Sequence, residues 1–134
     1  MPTPDERADM NELSPSWSSK FRVAFSGLFW ALKTQTSFRI HLPIAAAVLV
    51  TSALLQVEAW RWSVLVLTIA VVVAAELINT AIETLVRVLH PHRHELVGRS
   101  LDAAAAAVLV LSIAAIAVGL LVLGPPLYES LAFH

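Results

Sequence analysis

An all-α membrane protein is the fold class that this sequence predicts, with one amphipathic surface helix followed by three transmembrane helices. Composition is the first reason: 57% of the 134 residues are hydrophobic and only 14% are charged, far from the balance of a soluble domain. The second is two runs without formal charge, residues 40–57 and 103–123, each long enough to cross hydrocarbon. The length allows one domain. There is no cysteine, so disulfides and thiolate metal sites are excluded. The basic residues are few and scattered, which argues against a nucleic-acid partner.

Taken in order, residues 1–16, "MPTPDERADMNELSPS", carry three prolines and mixed charges and read as a mobile tail before a domain at 17–124. Over 17–38, Phe21, Phe25, Leu28, Phe29 and Leu32 recur at steps of three and four, with Lys20, Arg22 and Lys33 between them. That pattern predicts a helix lying on the membrane surface, although the same stripe suits a helix packed on a protein partner. The first span covers about 40–57. It starts too far into the chain, and without a small-residue cleavage site, to be a removable signal. A second helix is expected at 60–89, ended by Pro91, and a third at 101–123, closed by Pro125 and Pro126. Residues 125–134 are left as a tail.

Lysine and arginine set the orientation. Lys20, Arg22, Lys33 and Arg39 precede the first span, and Arg87, Arg93 and Arg99 lie in or near the second loop, whereas Arg61 alone lies in the first. Positive loops stay inside, so the N-terminus and second loop are expected in the cytoplasm and the C-terminus outside. Trp60 and Trp62 then fall at the outer aromatic belt.

The acidic residues are the unusual feature. At about 1.5 Å per residue, Glu76 lies roughly 24 Å and Glu83 roughly 34 Å from Trp60, which straddles the far edge of a hydrocarbon layer of about 30 Å. Asp102 opens the third span at the same depth. Offsets of three and seven keep Glu76, Asn79 and Glu83 within about 60° on one helical face. Acids at such depth are costly unless they face protein or water, and they mark functional sites. Two carboxylates with an amide between them can hold Mg²⁺ through hard oxygens, or leave one acid free as a base. The same spacing also suits a plainer arrangement, with Glu83 and Asp102 solvated at the interface and Glu76 bonded to a neighbouring helix.

Other signals are weaker. "HPHRHE" alternates three histidines, but Pro91 breaks any helix there and a fourth ligand is missing, so a solvated loop outweighs a zinc site. His41 reads as an interfacial or interhelical hydrogen-bonding residue. The run Ala103–Ala107 reads as a close-packing surface. No glycine-rich phosphate loop is present.

"AELINTAIE", followed after a polar loop by "GRSLDAAAAAV", resembles the prokaryotic diacylglycerol kinase and undecaprenol kinase family. The upstream "KFRVAFSGLFWALKTQTSFRIHL" is similar to that family's surface helix and first span, so the resemblance covers about 17–123. It implies a homotrimeric helix bundle in the prokaryotic inner membrane that transfers the γ-phosphate of ATP to a lipid hydroxyl, with Mg²⁺ as cofactor and sites shared between subunits. Carried over residue by residue, Glu76 matches the proposed general base, Asn79 a supporting polar group, and Glu83 a carboxylate for metal and nucleotide. Asp102 matches the aspartate of a Lys-Asp pair. Two positions depart from the pattern: Leu101 stands where the lysine is expected, and Gln35 where a metal-binding glutamate is expected. Gln35 still offers Mg²⁺ a carbonyl oxygen; Leu101 offers phosphate nothing.

Three functions compete on these grounds: a lipid kinase acting on diacylglycerol or undecaprenol, a silent scaffold or regulator keeping the same fold, and a small ion transporter. The transporter needs a continuous polar path, and Ser112 is the only polar side chain between Asp102 and Leu123.

The expected topology is open to direct test, because seven of the nine basic residues flank one side. A cysteine at His92 should resist an impermeant reagent applied to intact cells, while one at Tyr128 should react. The opposite pattern reverses the orientation.

Overall fold

The computed structural model of the chain describes residues 16–90, 92 and 94–132. Those residues form four helices: α1 at Trp17–Thr34, α2 at Phe38–Leu54, α3 at Ala59–Leu89 and α4 at Glu95–Ala132. The expected tail lies almost wholly outside the described residues. The chain divides into two units, one ending at Thr34 and the other beginning at Gln35.

In the first unit, α1 exposes Trp17, Phe21, Phe25, Phe29 and Trp30. Lys20 stands 4.9 Å from the centroid of the Trp17 ring and Lys33 5.9 Å from that of Phe29, so both ammonium groups lie against aromatic faces. The helix ends four residues short of the expected Phe38. Thr34 donates its hydroxyl to the Trp30 carbonyl at 2.8 Å, and Thr36 and Ser37 follow, residues whose side chains compete for the backbone and favour a break.

In the second unit, α2 stops at Leu54 rather than Val57. Gln56 takes the left-handed conformation, with φ of 48°. The Gln56 N–H reaches the Ala53 carbonyl and the Val57 N–H the Ser52 carbonyl, both at 3.2 Å. This is a Schellman turn with glutamine where glycine is usual, which explains why no residue in the sequence advertised it.

α3 and α4 form an antiparallel hairpin, closed at one end by the short loop between them and joined at the other by Arg61 and Val122. α3 packs mainly on α4 and less on α2. It is the central helix: 28% of its most apolar window is buried in protein, against 6% for α4. Its buried residues are Leu65, Val72, Glu76, Asn79 and Thr80. Offsets of seven, four and three make them one stripe, apolar in its first half and polar in its second.

α3 and α4 are each long and apolar enough to cross a membrane, and a third span arises only if α1 and α2 count together as one interrupted span. Alone, the 17 residues of α2 rise about 25 Å against a hydrocarbon core of about 30 Å. A groove of about 540 Å³ lies between α2, α3 and α4. Two of its hydroxyls, Thr68 and Ser112, donate to the Val64 and Val108 carbonyls of their own helices at 2.7 and 2.8 Å. Its walls are mostly apolar, with His41 and Thr51 as the other polar side chains that line it.

The expectation for α4 needs correction at both ends. The helix starts at Glu95, not 101, and it runs through Pro125 and Pro126 to Ala132 instead of stopping before them. At the first end, Glu95 accepts from Arg99 at 2.7 Å, an i,i+4 pair within the added turns. At the second, Pro126 has no N–H to give Val122, the carbonyl four residues back. The Arg61 guanidinium donates to that carbonyl instead. A proline pair reads as a stop signal because it normally strands such groups, and here a neighbouring helix supplies the donor.

A double-mutant cycle isolates this contact. Arg61→Ala should cost about 1–3 kcal/mol of stability in detergent unfolding, since it strands a carbonyl away from water. In the Pro126→Ala background the new N–H serves Val122, so the same substitution should cost at least about 1 kcal/mol less. Equal costs in both backgrounds would disprove the link.

Candidate functional site

The polar half of the α3 stripe is the candidate site. Glu76 is 4% exposed, Asn79 8% and Thr80 3%, burial that these residue types show only when protein encloses them. Glu83, one turn further on, is half-buried. Asn79 donates Nδ2–H to Glu83 Oε1 at 2.7 Å. This fixes the amide and turns Oδ1 the other way, where, alone among buried side-chain polar atoms of the described residues, it has no donor. A buried oxygen with no donor is rare and needs a partner such as water, an ion or a neighbouring chain.

That oxygen and the Glu83 carboxylate are hard donors on adjacent turns of one face. Glu83, the half-buried member, is the one placed to meet a hydrated cation such as Mg²⁺, whereas the Asn79 oxygen is turned away from it. Among the described residues no three histidine, aspartate or glutamate side chains converge as a complete metal set, so the protein offers only part of a coordination shell. The Glu76 carboxylate forms no ion pair among the described residues. Its lone pairs remain available to take a proton.

The structure thus brings together Glu76, Asn79 and Glu83, as their spacing predicts. Asp102 lies two turns into α4, exposed, with Leu101 half-buried beside it. Gln35 sits half-buried in the link after α1. Neither Asp102 nor Gln35 is joined to the α3 group by a hydrogen bond or ion pair among the described residues. Thr80 was given no role from the sequence, yet it is as buried as Glu76. The signal was its place four residues after Glu76, on the same face.

Comparison with known proteins bears on what such a site does. The profile of the prokaryotic diacylglycerol kinase family matches residues 22–123, which include the whole polar stripe and Asp102. The chain belongs to that family. Within it, the chain is 41% identical over 117 residues to a diacylglycerol kinase of Synechocystis sp., covering 87% of this chain and 67% of that one. It is 33% identical over 123 residues to the undecaprenol kinase of Bacillus subtilis, covering 92% of this chain and 99% of that one. A diacylglycerol kinase of Haemophilus influenzae is 31% identical over 89 residues, 66% of this chain and 75% of that one. The diacylglycerol kinase family is one of lipid kinases, and its apolar helices here make this member a membrane protein.

Proposed function

We propose that this protein is an ATP-dependent kinase of a membrane lipid alcohol, diacylglycerol or undecaprenol, in the inner membrane of a prokaryotic cell. The observation that carries the reading is the buried Glu76 beside the Asn79–Glu83 pair, in a chain of a lipid kinase family. Its parts match what phosphoryl transfer needs, which is positioning and charge neutralisation more than covalent chemistry.

Glu76 accepts the proton of the lipid hydroxyl as that oxygen bonds to the γ-phosphorus. The bond from phosphorus to the bridging oxygen breaks, and ADP leaves with the electron pair. Burial at the edge of hydrocarbon suits this role, because the acceptor hydroxyl arrives from the lipid side while the nucleotide arrives from water. Glu83 would hold Mg²⁺, with Gln35 as a further carbonyl donor, while Asn79 and Asp102 would serve the nucleotide side. The ion, when bound, neutralises phosphate charge and orients the γ-phosphate. We further propose that α1 lies on the cytoplasmic membrane surface and that three chains assemble into one bundle, whose shared contacts bring Gln35 and Asp102 to the α3 face.

Purified protein incubated with labelled ATP, Mg²⁺ and a panel of diacylglycerol, ceramide and polyprenol tests the reading. Label in no lipid, where a related kinase works, would leave the silent scaffold.

Glu76→Gln and Glu83→Gln should each abolish phosphotransfer and leave the inserted oligomer intact, since the exchange removes charge at nearly constant size. Residual rates should separate the roles: loss at Glu83 raises the Mg-ATP requirement, and loss at Glu76 lowers turnover. Normal rates across Mg²⁺ concentrations would remove that residue from the mechanism.

The two departures make a further test. Gln35→Glu with Leu101→Lys should raise the rate by more than the single changes combined, because the added carboxylate needs Mg²⁺ and the added ammonium needs phosphate. A wild type slowed by both changes would show that the site has its own arrangement.

A further inference from the structure

The proposed site has a charge problem. Glu76 and Glu83 are acidic, Asp102 would add a third carboxylate, and a nucleoside triphosphate is strongly anionic. One divalent cation does not balance them, and transferring phosphates are usually clamped by a lysine or arginine as well. Leu101 contributes no charge. The cation must come from elsewhere.

The described parts of α3 and α4 carry three basic residues, Arg61, Arg87 and Arg99. Arg61 is held at the far end of α3 by the Val122 carbonyl and by Glu58 at 3.5 Å. Arg99 is held by Glu95 at 2.7 Å. Arg87 is exposed and forms no ion pair among the described residues.

Its register places it in the site. Counted from Glu76, Thr80, Glu83 and Arg87 follow at four, seven and eleven residues, which keeps all of them within about 40° of one line along the helix. Arg87 lies about 6 Å beyond Glu83, on the watery side. Helical side chains lean towards the N-terminus, so an arginine here reaches back over the turn that carries Glu83.

Glu83 would normally take that arginine, since glutamate four residues before a basic residue is the favoured helical pair. It accepts from Asn79 but forms no ion pair with Arg87 among the described residues, and the guanidinium stays uncommitted. We propose that Arg87 is a phosphate-contacting residue, clamping the terminal phosphates of the nucleotide against the Asn79–Glu83 pair. The inference rests on the kinase reading for its ligand. A guanidinium suits the task because it binds two phosphate oxygens at once. An arginine that merely complements the negative C-terminal end of α3 would leave nucleotide affinity untouched.

The test uses the full-length protein in mixed micelles, with Arg87→Gln and Arg87→Lys. KM for Mg-ATP should rise about tenfold in Arg87→Gln, as expected for one lost charged contact. KM for the lipid should stay unchanged, and the lysine variant should recover part of the loss. A second measurement, binding of a non-hydrolysable ATP analogue with Mg²⁺, separates this inference from the one beneath it. A wild type that binds the analogue but phosphorylates no lipid sinks the kinase reading, while weaker binding by Arg87→Gln still upholds the clamp. Equal KM or equal binding in wild type and Arg87→Gln overturns the clamp, and a wild type that binds no nucleotide overturns both.

Discussion

Everything in this protein depends on burying one continuous stripe of α3. A helix in hydrocarbon gains little by hiding leucine from lipid, so association rests on packing and on polar groups that need partners. The stripe uses both. Leu65 and Val72 pack in its first half, and Glu76, Asn79 and Thr80 are enclosed in its second. Carboxylates at that depth would drive a lone helix towards water. Enclosure by neighbouring helices keeps them there, and the scaffold and the site are thus one surface.

The polar half is built so that its parts constrain each other. Glu83 is held through the Asn79 amide, which orients the amide so that its oxygen faces away and has no donor. Glu83 makes no ion pair with Arg87 among the described residues, so the watery end of the face keeps an unpaired guanidinium one turn beyond an unpaired carboxylate.

The grouping of Glu76, Asn79 and Glu83 was legible in the sequence because its logic is periodic. Glu76, Asn79 and Glu83 recur at helical spacing in an apolar run, and periodicity survives folding. The span α3 was legible within one residue for the same reason. What escaped depends on contacts between distant residues or on residues acting out of type. Gln56 turns the chain where glycine usually does. Pro125 and Pro126 continue a helix that they normally end, and only Arg61, far away in the sequence, makes that tolerable. The direction in which the Asn79 amide points was equally invisible, since spacing places a side chain on a face but does not choose its partner.

The contact between Arg61 and Val122 acts on the assembly of the hairpin as a proofreading device. Apolar helices slide along each other with little change in energy, because one leucine replaces another at each step. A slip of one turn moves α4 by about 5.4 Å, far beyond hydrogen-bond reach. It leaves the buried Val122 carbonyl without its donor. Only one alignment satisfies it. Because this checkpoint sits at the end opposite the loop, it fixes the alignment over the whole length of the pair. The position of Asp102 along the pair is therefore set from the far end of the hairpin.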